Sequence, residues 1–352
     1  MKQFKLLTIL MLLALALVCF AACGEEGATN EGGTTENGGE TAAEPVTVIY
    51  CNTDTESRST LQAAYWMQQK WEEETDGQYV LEVYANNTLG DDSEVLKGLL
   101  LGTANYFTGM GVMGDIVGTV GALVDMPFVY SSYEDWYNGS YNLGGIEMYD
   151  EALEGTGYSC HDLQYAGAKH LWSGTGNFET LDDLKGFKIR CTANDMNLML
   201  WETLGANPTP VAWGELYTAL QQKTVDGMEH SMGIVYDQKF YEPNPYGTKT
   251  YHTYCPYACM VADSWVESLT DEQWQFISDS MHELNAYQHE LELDAEANVY
   301  EPEMIAAGVT ITDIPEETRA QMVELTEAVY DFMREECGAE LIDAFIATGG
   351  QV

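Results

Sequence analysis

Positively charged side chains are scarce in this chain and concentrate in one region. The sequence has 14 lysines and arginines against 57 aspartates and glutamates, a formal net charge of -43. Seven of the 12 cations outside the first 22 residues lie in a segment of about 80 residues: Lys169, Lys185, Lys188, Arg190, Lys223, Lys239 and Lys249. Most would be explained as ordinary surface residues. An acidic protein that keeps its positive charge in one region can also use that region to bind an anionic ligand, while its overall charge disfavours nucleic acid and anionic lipid.

The sequence lacks the common motifs that would indicate an enzyme. There is no Gly-x-Ser-x-Gly, and no Walker or dinucleotide glycine loop occurs. His282-Glu283 lacks the second histidine of a metalloprotease, because His289 comes seven residues later. The cysteines form no Cys-x-x-Cys pair, so they predict structural thiols with room for one disulfide and do not favour zinc.

Arg190 belongs to a stretch with strong local signals, Leu181–Asp226. The capping pattern Thr180-Leu181-Asp182-Asp183 opens a helical turn that Gly186 closes. A strand is predicted at residues 187–190, so Arg190 stands at its end, and a helix follows at 195–204. The prolines at 208 and 210 predict a corner, and residues 213–222 a second helix.

The rest of the chain predicts an α/β protein. Strands are expected at 46–50, 79–84 and 105–110, with helices between them, which implies a parallel sheet with crossover helices. A further strand is expected at 125–130 and a helix near 136–154. Thr270 and Gln273 form a capping box for a helix that runs to about residue 298, and Ile314-Pro315 precedes another whose packed face carries Met322, Leu325, Val329 and Phe332.

The N-terminus predicts export. Lys2 and Lys5 precede an apolar run that ends in Phe20-Ala21-Ala22 before Cys23, the pattern of a signal peptide with a bacterial lipobox. Cys23 is therefore the predicted lipidation site; a plain signal peptide or an uncleaved anchor is the alternative. Residues 23–45 have no large apolar side chain and predict a flexible tether.

Several motifs, taken together and in order, resemble one family. They are Leu89-Gly90-Asp91-Asp92, Met126-Pro127-Phe128, the run from Leu181 to Arg190, Gly205-Ala206-Asn207-Pro208-Thr209-Pro210, the run from Glu215 to Gln221, and Val225-Asp226-Gly227. From residue 46 to the C-terminus the chain resembles the substrate-binding proteins of tripartite ATP-independent periplasmic (TRAP) transporters, of the dicarboxylate-binding (DctP) type.

This resemblance implies an α/β fold of the periplasmic-binding-protein kind, a two-lobe clamp with a long bridging helix. Lobe I would comprise residues 46–166 and 256–295, and lobe II residues 167–255 and 296–352. Arg190 occupies the place of the family arginine that grips the ligand carboxylate. An arginine fork suits a carboxylate because two parallel charge-assisted hydrogen bonds fix its orientation.

Other ligand contacts implied by the resemblance depart from the family pattern. Lys169 stands where a second arginine is usual, His230 replaces an amide, and Met110 replaces an acid found in some members. Trp213 corresponds to an aromatic ring in the cleft, with core packing as the alternative. Asn52 and Asp92 match positions near the cleft in some members. His230 is either a structural residue or a donor whose protonation near pH 6–7 tunes affinity.

The predicted function is an extracytoplasmic, lipid-anchored receptor that binds a small organic acid. The resemblance implies membrane permease subunits of a secondary transporter as partners. No cofactor and no metal site is predicted. A binding protein for an ATP-driven (ABC) importer, a sensor for a signalling receptor, and an enzyme acting on a small acid remain the alternatives.

Overall fold

A computed structural model describes residues 44–109 and 113–350. The predicted signal segment, Cys23, the tether before Glu44, and Met110 lie outside these residues. The strands of the described part are β1 (Val46–Cys51), β2 (Tyr79–Tyr84), β3 (Tyr106–Gly109), β4 (Tyr158–Ser173), β5 (Lys188–Cys191), β6 (Asn207–Pro210), β7 (Gly227–Ser231), β8 (Tyr246–Lys249), β9 (Tyr254–Ala262) and β10 (Thr310–Asp313). The α-helices are α1 (Ser59–Glu74), α2 (Asp92–Leu101), α3 (Met113–Val117), α4 (Tyr133–Tyr137), α5 (Gly145–Ala152), α6 (Asp195–Thr203), α7 (Leu216–Gln221), α8 (Met232–Asp237), α9 (Asp263–Val266), α10 (Asp271–Ala295), α11 (Glu301–Ala306), α12 (Glu316–Cys337) and α13 (Ala339–Ile346).

The first three strands form the predicted parallel arrangement. β1 pairs in parallel with β2 on one side and with β3 on the other, and α1 and α2 make the two crossovers. Leu61, Ala64 and Trp71 bury the inner face of α1. Asp91 caps α2 in a reciprocal box with Glu94, so the sequence signals for these elements are confirmed.

The long strand β4 connects two parts of the sheet. Its residues up to Ala168 pair with β9, whereas those from Lys169 onward pair with β7 and β8. The register is irregular between Tyr165 and Ala168, and Gly167 has φ +92°. We call β2-β1-β3-β9-β4 the first half of the sheet and β4-β7-β5-β6 the second half. The predicted lobe boundaries stay a prediction.

The longest helix of the described residues, α10, packs on both α1 and β4. Thr270 and Gln273 form its predicted capping box, and Ile277, Met281 and Leu284 line its buried face. A π-helical segment, Glu296–Tyr300, follows directly and leads into α11. The expectation of an unusually long helix in this region is confirmed.

Four predictions about local structure are wrong. Residues 125–130 form no strand: a 3₁₀ segment ends at Asp125 and a turn follows, with Phe128 at φ +55°. The helix near 136–154 is broken by a π segment, Asn138–Asn142. The proline corner is the strand β6, which tolerates its prolines because β5 alone pairs with it. Leu325 is 38% exposed and does not belong to the packed face of α12.

The cysteines of the described part bear on one further expectation, that of structural thiols. Its six cysteines are free thiols, and Cys337 alone among them is not fully buried, as expected for structural thiols. Within the same residues, no helix combines the length and apolarity needed to cross a bilayer.

Candidate functional site

Arg190 is a buried cation on β5, between β6 and β7. Its side chain is 6% exposed, and its Nε donates to the carbonyl of Val211 at 3.2 Å. None of the ion pairs formed within the described residues includes Arg190. Burial lowers the pKa of the guanidinium, while the nearby charge of Glu229 acts in the opposite direction. A buried guanidinium with a single backbone acceptor retains donors for an anion.

Trp213 and His230 stand beside Arg190. The Arg190 Cζ lies 5.6 Å from the centroid of the Trp213 ring. The His230 ring lies 5.4 Å from Trp213 on the strand next to β5, and Phe240 supports the indole edge-on at 5.4 Å. Because Trp213 is only partly buried, part of it remains available to a ligand. The structure thus brings together three of the predicted site residues, which we call the Arg190 cluster (Arg190, Trp213 and His230).

The hydrogen bonding of His230 fixes its tautomer. Its Nδ1 accepts the backbone N–H of Ser231 at 2.9 Å, so in the neutral ring the proton resides on Nε2. Burial lowers the pKa of His230 to about 3. The ring is therefore a neutral Nε2–H donor at physiological pH, and tuning of affinity by its protonation near pH 6–7 is disfavoured.

Lys169 is buried in an ion pair. Its Nζ donates to Asp125 Oδ1 at 2.9 Å and to Oδ2 at 3.0 Å, and lies 3.8 Å from Glu229 Oε2. Burial alone would lower the pKa of Lys169, but the two carboxylates outweigh it and raise that pKa. The same ammonium group holds the pKa of Glu229 at about 2 against the effect of burial. The role of Lys169 as a second anion contact stays a prediction.

Sequence reasoning missed Asp125, Glu229 and His252 as members of this charged group. The His252 Nε2 atom lies 3.5 Å from Glu229 Oε2, and both side chains are buried. Asp125 had one usable signal, because a single acid inside the apolar run Leu123–Met126 must find a partner if that run is buried. No comparable signal marked His252.

Asn52 and Asp92 lie near the carboxyl end of β1 and show no contact with the Arg190 cluster in the described residues. Asn52 donates through Nδ2 to the carbonyl and hydroxyl oxygens of Thr108 at 2.9 and 2.8 Å, so it joins β1 to β3. Asp92 accepts a 2.6 Å hydrogen bond from Thr53, and burial raises its pKa to about 7. Their roles as ligand contacts stay predictions.

Contacts also link the segment after β1 to the helix after β7. Thr55 and Ser57 donate their hydroxyls to Asp237 Oδ1 at 2.6 and 2.7 Å. Asp237 is the last residue of α8, which begins two residues after His230. The first half of the sheet is thereby hydrogen-bonded to the half that carries Arg190.

The arrangement suits anion binding better than catalysis. The Arg190 cluster offers a guanidinium, a neutral N–H donor and an aromatic face, and none of these is a nucleophile or a general base at neutral pH. Within residues 44–109 and 113–350, no group of three or more metal-ligating side chains is placed to hold an ion.

Comparison with known proteins decides the family. The model of bacterial extracellular solute-binding protein family 7 (DctP) matches residues 51–336. The chain belongs to this family. The resemblance inferred from the motifs between Leu89 and Gly227 is therefore confirmed.

Relatives and solved structures agree with this assignment. The chain is 27% identical over 252 residues to the 2,3-diketo-L-gulonate-binding periplasmic protein YiaO of Escherichia coli, covering 69% of this chain and 74% of the relative. It is 26% identical over 300 residues to the C4-dicarboxylate-binding periplasmic protein DctP of Vibrio cholerae, covering 84% and 88%. A TRAP periplasmic solute-binding protein of Chromohalobacter salexigens with bound D-glucuronate superimposes with a TM-score of 0.78 at 25% identity, covering 86% of this chain and 99% of that one.

These findings establish the two-lobe solute-binding fold with a long helix, and they confirm the predicted fold class. They also place the chain among TRAP-type solute-binding proteins, whose family is extracellular. The family and the C. salexigens relative are named as solute-binding proteins.

Proposed function

We propose that this solute-binding protein captures a small organic acid by its carboxylate and delivers it to the membrane subunits of a TRAP-type secondary transporter. Arg190 is the carboxylate anchor, Trp213 contacts the apolar part of the ligand, and His230 donates from Nε2. The protein acts as a receptor and catalyses no reaction. Cys23 carries the lipid that holds it at the outer face of the cell membrane.

One observation carries this proposal: Arg190 is buried and has no carboxylate partner in the described residues. Keeping a guanidinium away from water without a counter-ion costs free energy, so an anion that enters to pair with it binds favourably. The named relatives fit, since the E. coli, V. cholerae and C. salexigens proteins are described with 2,3-diketo-L-gulonate, C4-dicarboxylates and D-glucuronate.

Binding would act through closure of the two lobes. A ligand held by Arg190 and by residues near β1 interacts more strongly with the closed state, which shifts a pre-existing equilibrium toward it. The hydrogen bonds from Thr55 and Ser57 to Asp237 are the kind of contact that such closure completes. Asn52 and Asp92 are the candidates for ligand contacts from the first half of the sheet.

The test is native mass spectrometry of gently purified protein, followed by identification of any released small molecule. A panel of mono- and dicarboxylic acids is then screened by thermal shift. We expect a released organic acid, and a higher melting temperature with that acid. An empty protein whose melting temperature responds to no acid, or a released ligand without a carboxylate, would overturn the proposal.

A further inference from the structure

Three cations are buried in the described part of the chain, and two of them are already paired. Arg58 is 1% exposed and lies 3.2 Å from Glu292 and 3.7 Å from Asp54. Lys169 is 3% exposed and pairs with Asp125. Arg190 alone among the three has no acidic partner there.

The pairing of Lys169 uses the donors that a ligand would need. Both oxygens of Asp125 accept from its ammonium group, at 2.9 and 3.0 Å, and Glu229 approaches to 3.8 Å. Lys169 and the two acids are each at most 4% exposed. One buried ammonium therefore faces two buried carboxylates, so this group offers no spare positive charge to an anion.

Asp125 and Glu229 would repel a second ligand carboxylate that approached Lys169. Glu229 lies on β7 between the strands that carry Lys169 and Arg190, and its Oε2 accepts no hydrogen bond within the described residues. Like charges brought together away from water repel strongly because the surrounding dielectric constant is low. A ligand that offers a hydroxyl or another neutral polar group in place of a second carboxylate avoids this repulsion.

We propose that the cleft selects acids with one carboxylate over acids with two, and that the pairing of Lys169 with Asp125 sets this selectivity. The inference rests on the proposed function and narrows its ligand to a monocarboxylate whose remaining groups are uncharged. Arg190 takes the carboxylate, and Trp213 and His230 contact the neutral remainder. Lys169 acts as a specificity residue through its partner, without gripping the ligand itself.

Matched acids test the proposal on the unaltered protein by isothermal titration calorimetry at pH 7.5. Each pair shares a carbon skeleton and differs at one end: galactonate and galactarate, gluconate and glucarate, 4-hydroxybutyrate and succinate. We expect the monoacid to bind at least tenfold more tightly in every pair that binds at all. Equal or tighter binding of the diacids would overturn the selectivity while leaving the proposed function intact. Failure of every acid would overturn the proposed function and the selectivity together.

Asp125→Asn tests the part played by Lys169. The substitution keeps the shape of the side chain and frees the ammonium charge, so we expect the ratio of diacid to monoacid affinity to rise at least tenfold. Asp182→Asn is the matched control, because it alters an exposed aspartate paired with Lys185 at 2.7 Å. A folded Asp125→Asn protein with an unchanged ratio would overturn the assignment to Lys169.

Glu229→Gln provides a second route if Asp125→Asn does not fold, as judged by circular dichroism. It removes the other acid near Lys169 and should move the ratio in the same direction. If neither variant folds, the ranking of the matched acids on the unaltered protein still decides the selectivity, and tighter binding of the diacids overturns it together with its assignment to Lys169.

Discussion

The guanidinium of Arg190 lies against the ring of Trp213, with Cζ 5.6 Å from the ring centroid. An aromatic face stabilises a cation without neutralising it. The ring therefore helps to hold the guanidinium in place and leaves its charge available to a ligand. A carboxylate at the same place would hold Arg190 equally well but would compete with the ligand.

Replacing Arg190 should abolish measurable binding. A ligand carboxylate that is buried without its partner costs about 3–5 kcal/mol, or roughly a 100- to 3,000-fold higher Kd. Arg190→Lys keeps the charge and loses the fork, so its affinity should fall between those of Arg190→Ala and the unaltered protein. Calorimetric titration with the acid found by mass spectrometry measures each Kd.

Arg319→Ala is the matched control for Arg190. Arg319 also stacks on an aromatic ring, 5.5 Å from the centroid of Phe128, but it belongs to α12. We expect its removal to leave the Kd within a few fold. Near-native affinity of Arg190→Ala would remove Arg190 from the site.

His230 should stay uncharged throughout the physiological range. With its pKa lowered to about 3 by burial, against about 6.5 in the unfolded chain, the folded state disfavours the proton that the unfolded state accepts. Its stabilising effect is complete above pH 6.5 and declines as the pH falls toward 3, by up to about 1.4 kcal/mol per pH unit.

Two measurements check this behaviour of His230. In ¹⁵N-detected spectra its ring nitrogens should keep neutral-tautomer shifts from pH 8 down to pH 5, whereas the partly exposed His282 should titrate. In denaturant unfolding, the stability advantage of the unaltered protein over His230→Gln should shrink from pH 7 to pH 5. Titration of His230 with a midpoint near 6.5 would contradict the neutral assignment.

Gly167→Ala should destabilise the fold at the point where β4 changes partners. Gly167 has φ +92°, and a Cβ there would lie 2.6 Å from Glu296 Oε1 and 3.0 Å from Ser231 Cβ. Backbone strain of this kind costs about 1–3 kcal/mol, and the close contacts add to it.

Gly155→Ala separates the two effects at Gly167. Gly155 has φ +81°, but a Cβ there meets nothing within 4 Å, so this variant carries backbone strain alone. We expect the drop in melting temperature to be larger for Gly167→Ala. Equal drops would mean that the contacts with Glu296 and Ser231 have no energetic role.

Asp237→Ala should weaken ligand binding even though Asp237 is not a proposed ligand contact. Loss of the hydroxyl bonds from Thr55 and Ser57 costs about 0.5–1.5 kcal/mol, which corresponds to roughly two- to twelvefold in Kd. The loss should be seen as faster ligand release in stopped-flow measurements of tryptophan fluorescence.

Asp263→Ala controls for the removal of a hydroxyl acceptor as such. Asp263, the first residue of α9, accepts from Ser159, which lies in the part of β4 that pairs with β9. We expect ligand release from this variant to match that of the unaltered protein. If release from Asp237→Ala is equally unaffected, the bonds to Asp237 do not depend on ligand binding.

Elements with strong local signals could be predicted from the sequence. β2 has the predicted bounds Tyr79–Tyr84, and the capping box of α10 pairs Thr270 with Gln273 as expected. In both places the apolar spacing and the cap residues favour the same structure. The predicted strand at 125–130 failed because apolar, β-branched residues also suit a buried turn, and only tertiary packing sets φ +55° at Phe128.

The binding site could be predicted only in part. Arg190 belongs to a matching motif, whereas Trp213 and His230 lie beside such motifs, and the fold brings the three side chains together. The partners of Lys169 could not be read in the same way. Asp125 and Glu229 lie 44 and 60 positions away from Lys169 in the chain, and nothing local in the sequence indicates which buried acid meets which buried base.

The course of β4 also limits how ligand specificity can pass between relatives by recombination. The two halves of the sheet are not encoded by two separate stretches of gene, because β4 serves both and β9 returns to the first half after β8. A chimera that took residues 169–249 from a relative would import that relative's residues at the positions of Lys169, Arg190 and Glu229 while keeping this chain's Asp125. Unless the donor has lysine or arginine at position 169, Asp125 would be left as a buried acid without its base, so such an exchange must include the segment before β4 as well.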